Sequence, residues 1–162
     1  MAASRQHQLV KEGSRAPDFR LSRLDGGEAT LAELVGNGPI LLAFFKVTCP
    51  VCQLTFPFLD RLHNPTALPV YGISQNCEED TREFNRYFGV SFPTLLDREE
   101  NGFPASNAYG ISSVPTLFLI ERDGTISRTI EGWQRKQIEW LGGKAGVAPI
   151  RPEEKVPEWK SG

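Results

Sequence analysis

Cys49 and Cys52 stand three positions apart in Thr48-Cys-Pro-Val-Cys52. They follow the apolar run Ile40 to Phe45 and lead into a segment where Leu54, Phe58, Leu59 and Leu62 recur at helical spacing. A strand that runs into C-x-x-C and then a helix puts one thiol at the helix N-terminus, where unpaired N–H groups and the helix dipole stabilise a thiolate. The second thiol falls one turn further on, close enough to close a disulfide. Such a pair is a dithiol redox site: Cys49, facing solvent, attacks a disulfide, and Cys52, shielded, resolves the mixed disulfide.

Metal binding is the main rival for these cysteines. A structural zinc ion takes four ligands, and beyond the pair the chain offers Cys77, His7 and His63, which form no second C-x-x-C or H-x-x-x-H cluster. No metal is expected, and no cofactor other than the Cys49–Cys52 disulfide itself. A second element bears on the site. Val114-Pro115-Thr116 precedes the apolar run Thr116 to Ile120, and a proline that cannot donate to a sheet belongs at a strand's start. Taken alone, such an X–Pro bond is more often trans.

The elements that must hold these residues can be read from the pattern. Ala16 to Leu24 alternates apolar and polar residues before Asp25-Gly-Gly27, so residues 18–30 read as a hairpin. Thr30 caps a short helical turn, Leu31 to Leu34, ending at Gly36. Ile40 to Phe45, continuous and apolar after Gly38-Pro39, has the pattern of a central strand covered on both faces. The cysteine-bearing helix comes next, with Pro57 expected to kink it and His63 near its end as a C-terminal dipole partner. Residues 68–74 read as a second core strand, Glu78 to Phe88 as an amphipathic helix stopped by Gly89, Phe92 to Asp97 as a short strand and Ala105 to Tyr109 as a helical turn. Thr116 to Ile120 and Ile126 to Ile130 form a hairpin through Arg122-Asp-Gly124, and Gln134 to Leu141 is a last helix. Strands alternating with helices, then a hairpin and a helix, give an α/β fold: a three-layer α/β/α sandwich with a mixed central sheet.

The chain has 162 residues, enough for one domain with its own core. Residues 1–12 are expected to be a flexible N-terminus, 13–146 the domain, and 147–162 a Pro-rich, charged and loosely ordered tail. Eighteen basic and twenty acidic residues leave a net charge of −2, so no basic field exists to hold nucleic acid or an anionic membrane. No signal-type apolar block opens the chain and no run approaches the roughly 18 apolar residues of a membrane span. The expectation is a cytoplasmic protein, or an exported one if a leader has been removed.

Gly13-Ser-Arg-Ala-Pro-Asp-Phe19, the strand into Cys49-Pro-Val-Cys52, Phe88 to Asp97, Tyr109 to Phe118 and Asp123-Gly124 together resemble a redoxin of the thioredoxin superfamily. This group includes the TlpA-like thiol–disulfide oxidoreductases and the alkyl hydroperoxide reductase/thiol-specific antioxidant proteins. The resemblance implies a thioredoxin fold with an N-terminal hairpin extension and a redoxin-type insertion between the second helix and Val114. It also implies that Pro115 is cis beside the cysteines and that the Val114 backbone pairs with an extended segment of a bound partner. Cys49 is then the nucleophile and Cys52 the resolving thiol. Thr48, Pro50, Val51, Val114, Pro115 and Thr116 are the substrate-contacting candidates, with Gln75 and Cys77 as accessory ones. Partners would be proteins bearing thiols or disulfides, and a regenerating reductant.

Two departures bear on chemistry. Thioredoxin's buried aspartate, six residues before the first cysteine, is Ala43 here, and its preceding tryptophan is Thr48, with Lys46 the nearest charge. Peroxiredoxins carry Pro-x-x-x-Thr-x-x-Cys; aligned so, Cys52 would be the peroxidatic thiol, but Phe45 and Cys49 replace the proline and threonine. Peroxide reduction through Cys52 is therefore the second reading, behind disulfide exchange.

Overall fold

The centre of the molecule is β3 (Ile40–Phe45), in which every residue is buried. The computed structural model describes residues 8–162. On one side β3 pairs in parallel with β4 (Val70–Ser74), and on the other it runs antiparallel to β6 (Thr116–Ile120). Beyond β4 lie β5 (Thr94–Leu96), parallel to it, and the hairpin of β1 (Arg20–Arg23) and β2 (Glu28–Thr30). Beyond β6 lies β7 (Ile126–Glu131), completing a seven-stranded mixed sheet in the order β2-β1-β5-β4-β3-β6-β7.

Alternation along β3 divides the core between two faces. Phe45 packs on Phe56 of α2 (Pro50–Leu62) and Phe84 of α3 (Glu78–Phe88), with ring centroids 4.3 and 5.0 Å apart. Phe44 points the other way, onto Tyr109 of α4 (Pro104–Tyr109) at 5.2 Å. Helices on both faces make the expected three layers. Gly72 in β4 lets the first cluster close, since a Cβ there would sit 3.2 Å from the Phe45 ring and 3.3 Å from that of Phe92.

Local signals hold at the ends of these elements. Thr30 Oγ1 accepts the Glu33 N–H at 3.3 Å, capping α1 (Leu31–Leu34). Acidic Glu78, Glu79 and Asp80 occupy the first turn of α3, and Gly89 ends it in the left-handed region at φ 67°. The last helix, α5 (Arg135–Ala145), runs past the expected end at Leu141, because the bare face of Gly142 is covered by the returning chain, Val147 O and the Pro149 ring.

The terminal segments differ from expectation. Of the N-terminal stretch expected to be flexible, residues 1–7 lie outside the described residues, but Val10 N–H donates to Tyr109 O at 3.1 Å and Thr129 N–H to Glu12 Oε1 at 3.0 Å. The tail expected to be loosely ordered is bound to the domain. Arg61 of α2 grips Glu154 with both terminal nitrogens, at 2.6 and 3.0 Å, and donates to Pro149 O at 2.9 Å. The buried Trp133 donates Nε1–H to Pro157 O at 2.6 Å. A two-residue ladder then joins β8 (Trp133–Gln134) to β9 (Trp159–Lys160). Composition reads a tail as solvated because Pro, Glu and Lys bury little of themselves; here the domain supplies the anchors. Among the described residues no helix is long and apolar enough to cross a membrane.

This packing has two measurable consequences. Phe56 is fully buried among Phe45, Phe84 and Phe92, so Phe56→Ala should cost about 3–5 kcal/mol in chemical denaturation. The Arg61 pair holds Glu154 well below the ordinary 4.5, at about 2, so its contribution is complete above the ordinary value and lost as pH falls through about 2. Protection of the Trp133 indole N–H, followed by NMR, should drop across that window in the native sequence and lose this step in Glu154→Gln; an identical acid step in both proteins would refute the anchor.

Candidate active site

Pro50 opens α2 at its first turn, where a missing N–H costs nothing, and leaves Cys49 as the N-cap residue. Cys49 Sγ accepts the Cys52 N–H at 3.2 Å, the part an oxygen plays at most helix N-caps. Any negative charge on this sulfur thus faces a backbone donor and the positive end of the helix dipole. Its S–H lies 3.3 Å from Val114 O, to which it donates. That carbonyl belongs to the cis Val114–Pro115 bond, so a residue 65 positions away in sequence meets Cys49.

The two thiols have opposite surroundings. Cys49 is partly exposed and Cys52 is fully buried under the first turn of α2. Burial pushes the Cys52 thiol far above its ordinary value, and the neighbouring Cys49 adds to the shift; the Lys46 backbone and charge oppose it. Burial thus favours the neutral thiol at Cys52. Position 43, where a carboxylate might have served as proton acceptor, holds a fully buried Ala43 side chain between Gly72 and Leu117.

Around the pair, Thr48 and Pro50 are exposed and Val51 half-buried, so all three have a side facing outward beside Cys49. Val114 and Pro115 are buried, with the Val114 carbonyl against Cys49. Thr116, expected to meet substrate, does not face out: its side chain is 1% exposed and its Oγ1 donates to Ser113 O at 2.8 Å, fastening the turn that carries Val114. Asn76, and Gln53, which the sequence did not single out, hold the opposite loop. Asn76 Oδ1 accepts the Val47 N–H at 3.0 Å and Gln53 Nε2 donates to Val47 O at 3.0 Å. Neither has a signal readable from spacing, because each acts across elements on a backbone group.

Gln75 lines a cavity of about 60 Å³ with Lys46, Ile111, Ser112, Ser113 and Val114, and its amide donates to Ser106 Oγ at 2.8 Å. Ser106 in turn is held by Asp97, a fully buried carboxylate that accepts the N–H groups of Ala105 and Ser106 at 3.0 and 2.7 Å. Cys77 is exposed at the start of α3, and among the described residues no hydrogen bond joins it to either member of the pair. His63 is not a charged dipole partner: Nδ1 accepts the Val70 N–H at 3.0 Å, and burial lowers its pKa, opposed by Asp60. Among the described residues no three His, Cys, Asp or Glu side chains come together to hold a metal ion; His7 lies outside them.

Comparison with known proteins agrees with this geometry. Residues 13–129 match the AhpC/TSA family. Thiol-disulfide oxidoreductase ResA of Geobacillus thermodenitrificans is 33% identical over 137 residues, covering 79% of this chain and 74% of the relative. ResA of Bacillus subtilis is 30% identical over 129 residues, covering 77% and 70%. Among solved structures, a putative thiol:disulfide interchange protein DsbE from Chlorobium tepidum superposes with a TM-score of 0.71 at 23% identity, covering 87% of this chain and 99% of that one, and shares the thioredoxin-like fold. With most of its domain matched, and relatives at this identity over three quarters of its length, the chain belongs to the AhpC/TSA family of redoxins.

Proposed function

We propose that the protein is a thiol–disulfide oxidoreductase acting on protein substrates, with Cys49 as nucleophile, Cys52 as resolving thiol and no resident cofactor beyond their disulfide. One observation carries this reading. A partly exposed sulfur caps a helix and touches the Val114 carbonyl, while a second thiol is buried directly behind it.

The Cys49 thiolate attacks one sulfur of the partner's disulfide, forming a mixed disulfide and releasing the first partner thiolate, which takes up a proton. Cys52 then attacks Cys49 Sγ, and its proton is taken up by the second partner thiolate. The mixed disulfide breaks, the second partner thiolate leaves, and the Cys49–Cys52 disulfide remains; two electrons have passed to the partner. Run in reverse, the same steps oxidise a partner dithiol. A separate dithiol reductant returns the pair to its reduced form when it acts as a reductase.

Val114 supports recognition of an extended segment. Its N–H makes no hydrogen bond among the described residues, and it stands beside the attacked sulfur, where a strand added by the partner finds an open donor. Thr48, Pro50 and Val51 form the other wall. Peroxide reduction through Cys52 is disfavoured, since that thiol is inaccessible and held neutral, and the residue in the place of the peroxiredoxin proline, Phe45, is locked in the core.

Cys49→Ser should abolish disulfide exchange, whereas Cys52→Ser should accumulate a mixed disulfide visible by mass spectrometry; full activity in both variants would refute the mechanism. Hydrogen peroxide consumption that survives Cys49→Ser and vanishes in Cys52→Ser would establish the peroxidase instead. Iodoacetamide at neutral pH should label Cys49 and Cys77 in the folded, reduced protein and spare Cys52 until it is denatured, because burial keeps that thiol protonated.

A further inference from the structure

The C-terminal segment does more than pack on the back of the domain. From its anchors at Arg61 and Trp133 the chain runs as β9 alongside β8, with Trp133 opposite Lys160 and Gln134 opposite Trp159. The antiparallel direction of that ladder aims the residues after β9 at Gly132 and then at the start of β6. Gly132 itself donates to Pro115 O at 2.8 Å, so the junction of β7 and β8 is tied to the same turn as the nucleophile's neighbour.

At Gly132 the passage is close enough to require glycine. A Cβ there would overlap Lys160 O, and the backbone is left-handed at φ 70°. The segment then reaches Val114. A Cβ on Gly162 would overlap the Val114 carbonyl oxygen and stand 2.7 Å from its carbon and 3.2 Å from Pro115 N. This is the carbonyl that accepts the Cys49 S–H. Residues 159–162 therefore bring Gly162 onto the backbone edge that an incoming strand would use.

We propose that residues 159–162 form a strap that competes with the partner's strand for the Val114 edge, so that it must swing aside before Cys49 engages an extended protein substrate. The inference rests on the reading of Val114 as the strand-addition edge. The distribution of contacts fits a part that moves. The strap's base is fixed by the Arg61–Glu154 pair and by Trp133, whereas all four strap residues are exposed, Trp159 by 61%, and they share only a two-residue ladder with β8. Few buried contacts mean a low cost of local opening. A strand that satisfies the free Val114 N–H can displace the strap; a small disulfide needs no such pairing.

The test compares the full chain with a variant ending at Glu158 and with Gly162→Val, which keeps β9 but cannot seat against Val114. Each, reduced, is assayed with a ten-residue peptide carrying a central disulfide and with 2-hydroxyethyl disulfide. Peptide exchange should rise in both variants, by about tenfold if roughly one molecule in ten has the strap open, with the small disulfide's rate nearly unchanged. Peptide rates equal to or below the parent's in both folded variants would overturn the strap, as would equal acceleration of both disulfides, which would mean general uncovering of the sulfur. Exchange that survives Cys49→Ser would instead overturn the oxidoreductase reading. The strap is then read separately, from binding of the same peptide with serines in place of its cysteines, which should be tighter in the two strap variants.

Discussion

The antiparallel pairing of β3 with β6 is the constraint on which the site depends. Phe44 stands opposite Thr116, so the carboxyl end of β3 lies beside the amino end of β6. The loop that leaves Phe45 for Cys49 must then meet the Val114–Pro115 turn that enters Thr116. Neither chain segment carries a strong preference for the other. They are brought together because β3 is buried along its whole length and admits only a register that keeps both of its faces covered.

Given that meeting, the difference between the two thiols is a matter of one helical turn. At the N-cap, Cys49 has a backbone donor and an opening to solvent; three residues on, the side chain points into the aromatic and aliphatic core. The same residue type is an open helix cap at one position and a buried thiol, favoured in its neutral form, at the other. The clamp on the loop, Asn76 and Gln53 on Val47, limits how far Cys49 can drift from Val114. The buried Asp97, through α4 and Ser106, positions Gln75 at the small cavity beside them. The buried Asp97 is paired with backbone N–H groups, which spares it the desolvation cost of standing alone.

The tail shows where local reading loses force. Residues 147–162 have the composition of a solvated segment, and nothing in their own pattern calls for order. Their order comes from Arg61, Trp133 and Gly142, all outside the segment, and from the bare faces of Gly132 and Gly162 that let backbones touch. His63 and Thr116 make the same point on a smaller scale. A residue type suited to a role, a cation at a helix end or a hydroxyl beside a cis proline, was turned to another by the partner that folding put within reach.

Much of the protein was legible without coordinates. Alternation and apolar runs located most strands and helices of the domain, the glycine after Phe88 ended its helix, and strand, C-x-x-C and helix in succession located the dithiol at a helix N-terminus, its first thiol open and its second shielded. These are short-range properties, governed by backbone sterics, side-chain period and the unpaired groups of a helix terminus. Only the tertiary structure decided which carbonyl faces Cys49, how deeply Cys52 is buried, that Thr116 turns inward and that Gly162 lies against Val114. Each of these is a contact between residues far apart in sequence, and the pairing of such residues is set by packing the whole chain rather than by any stretch of it.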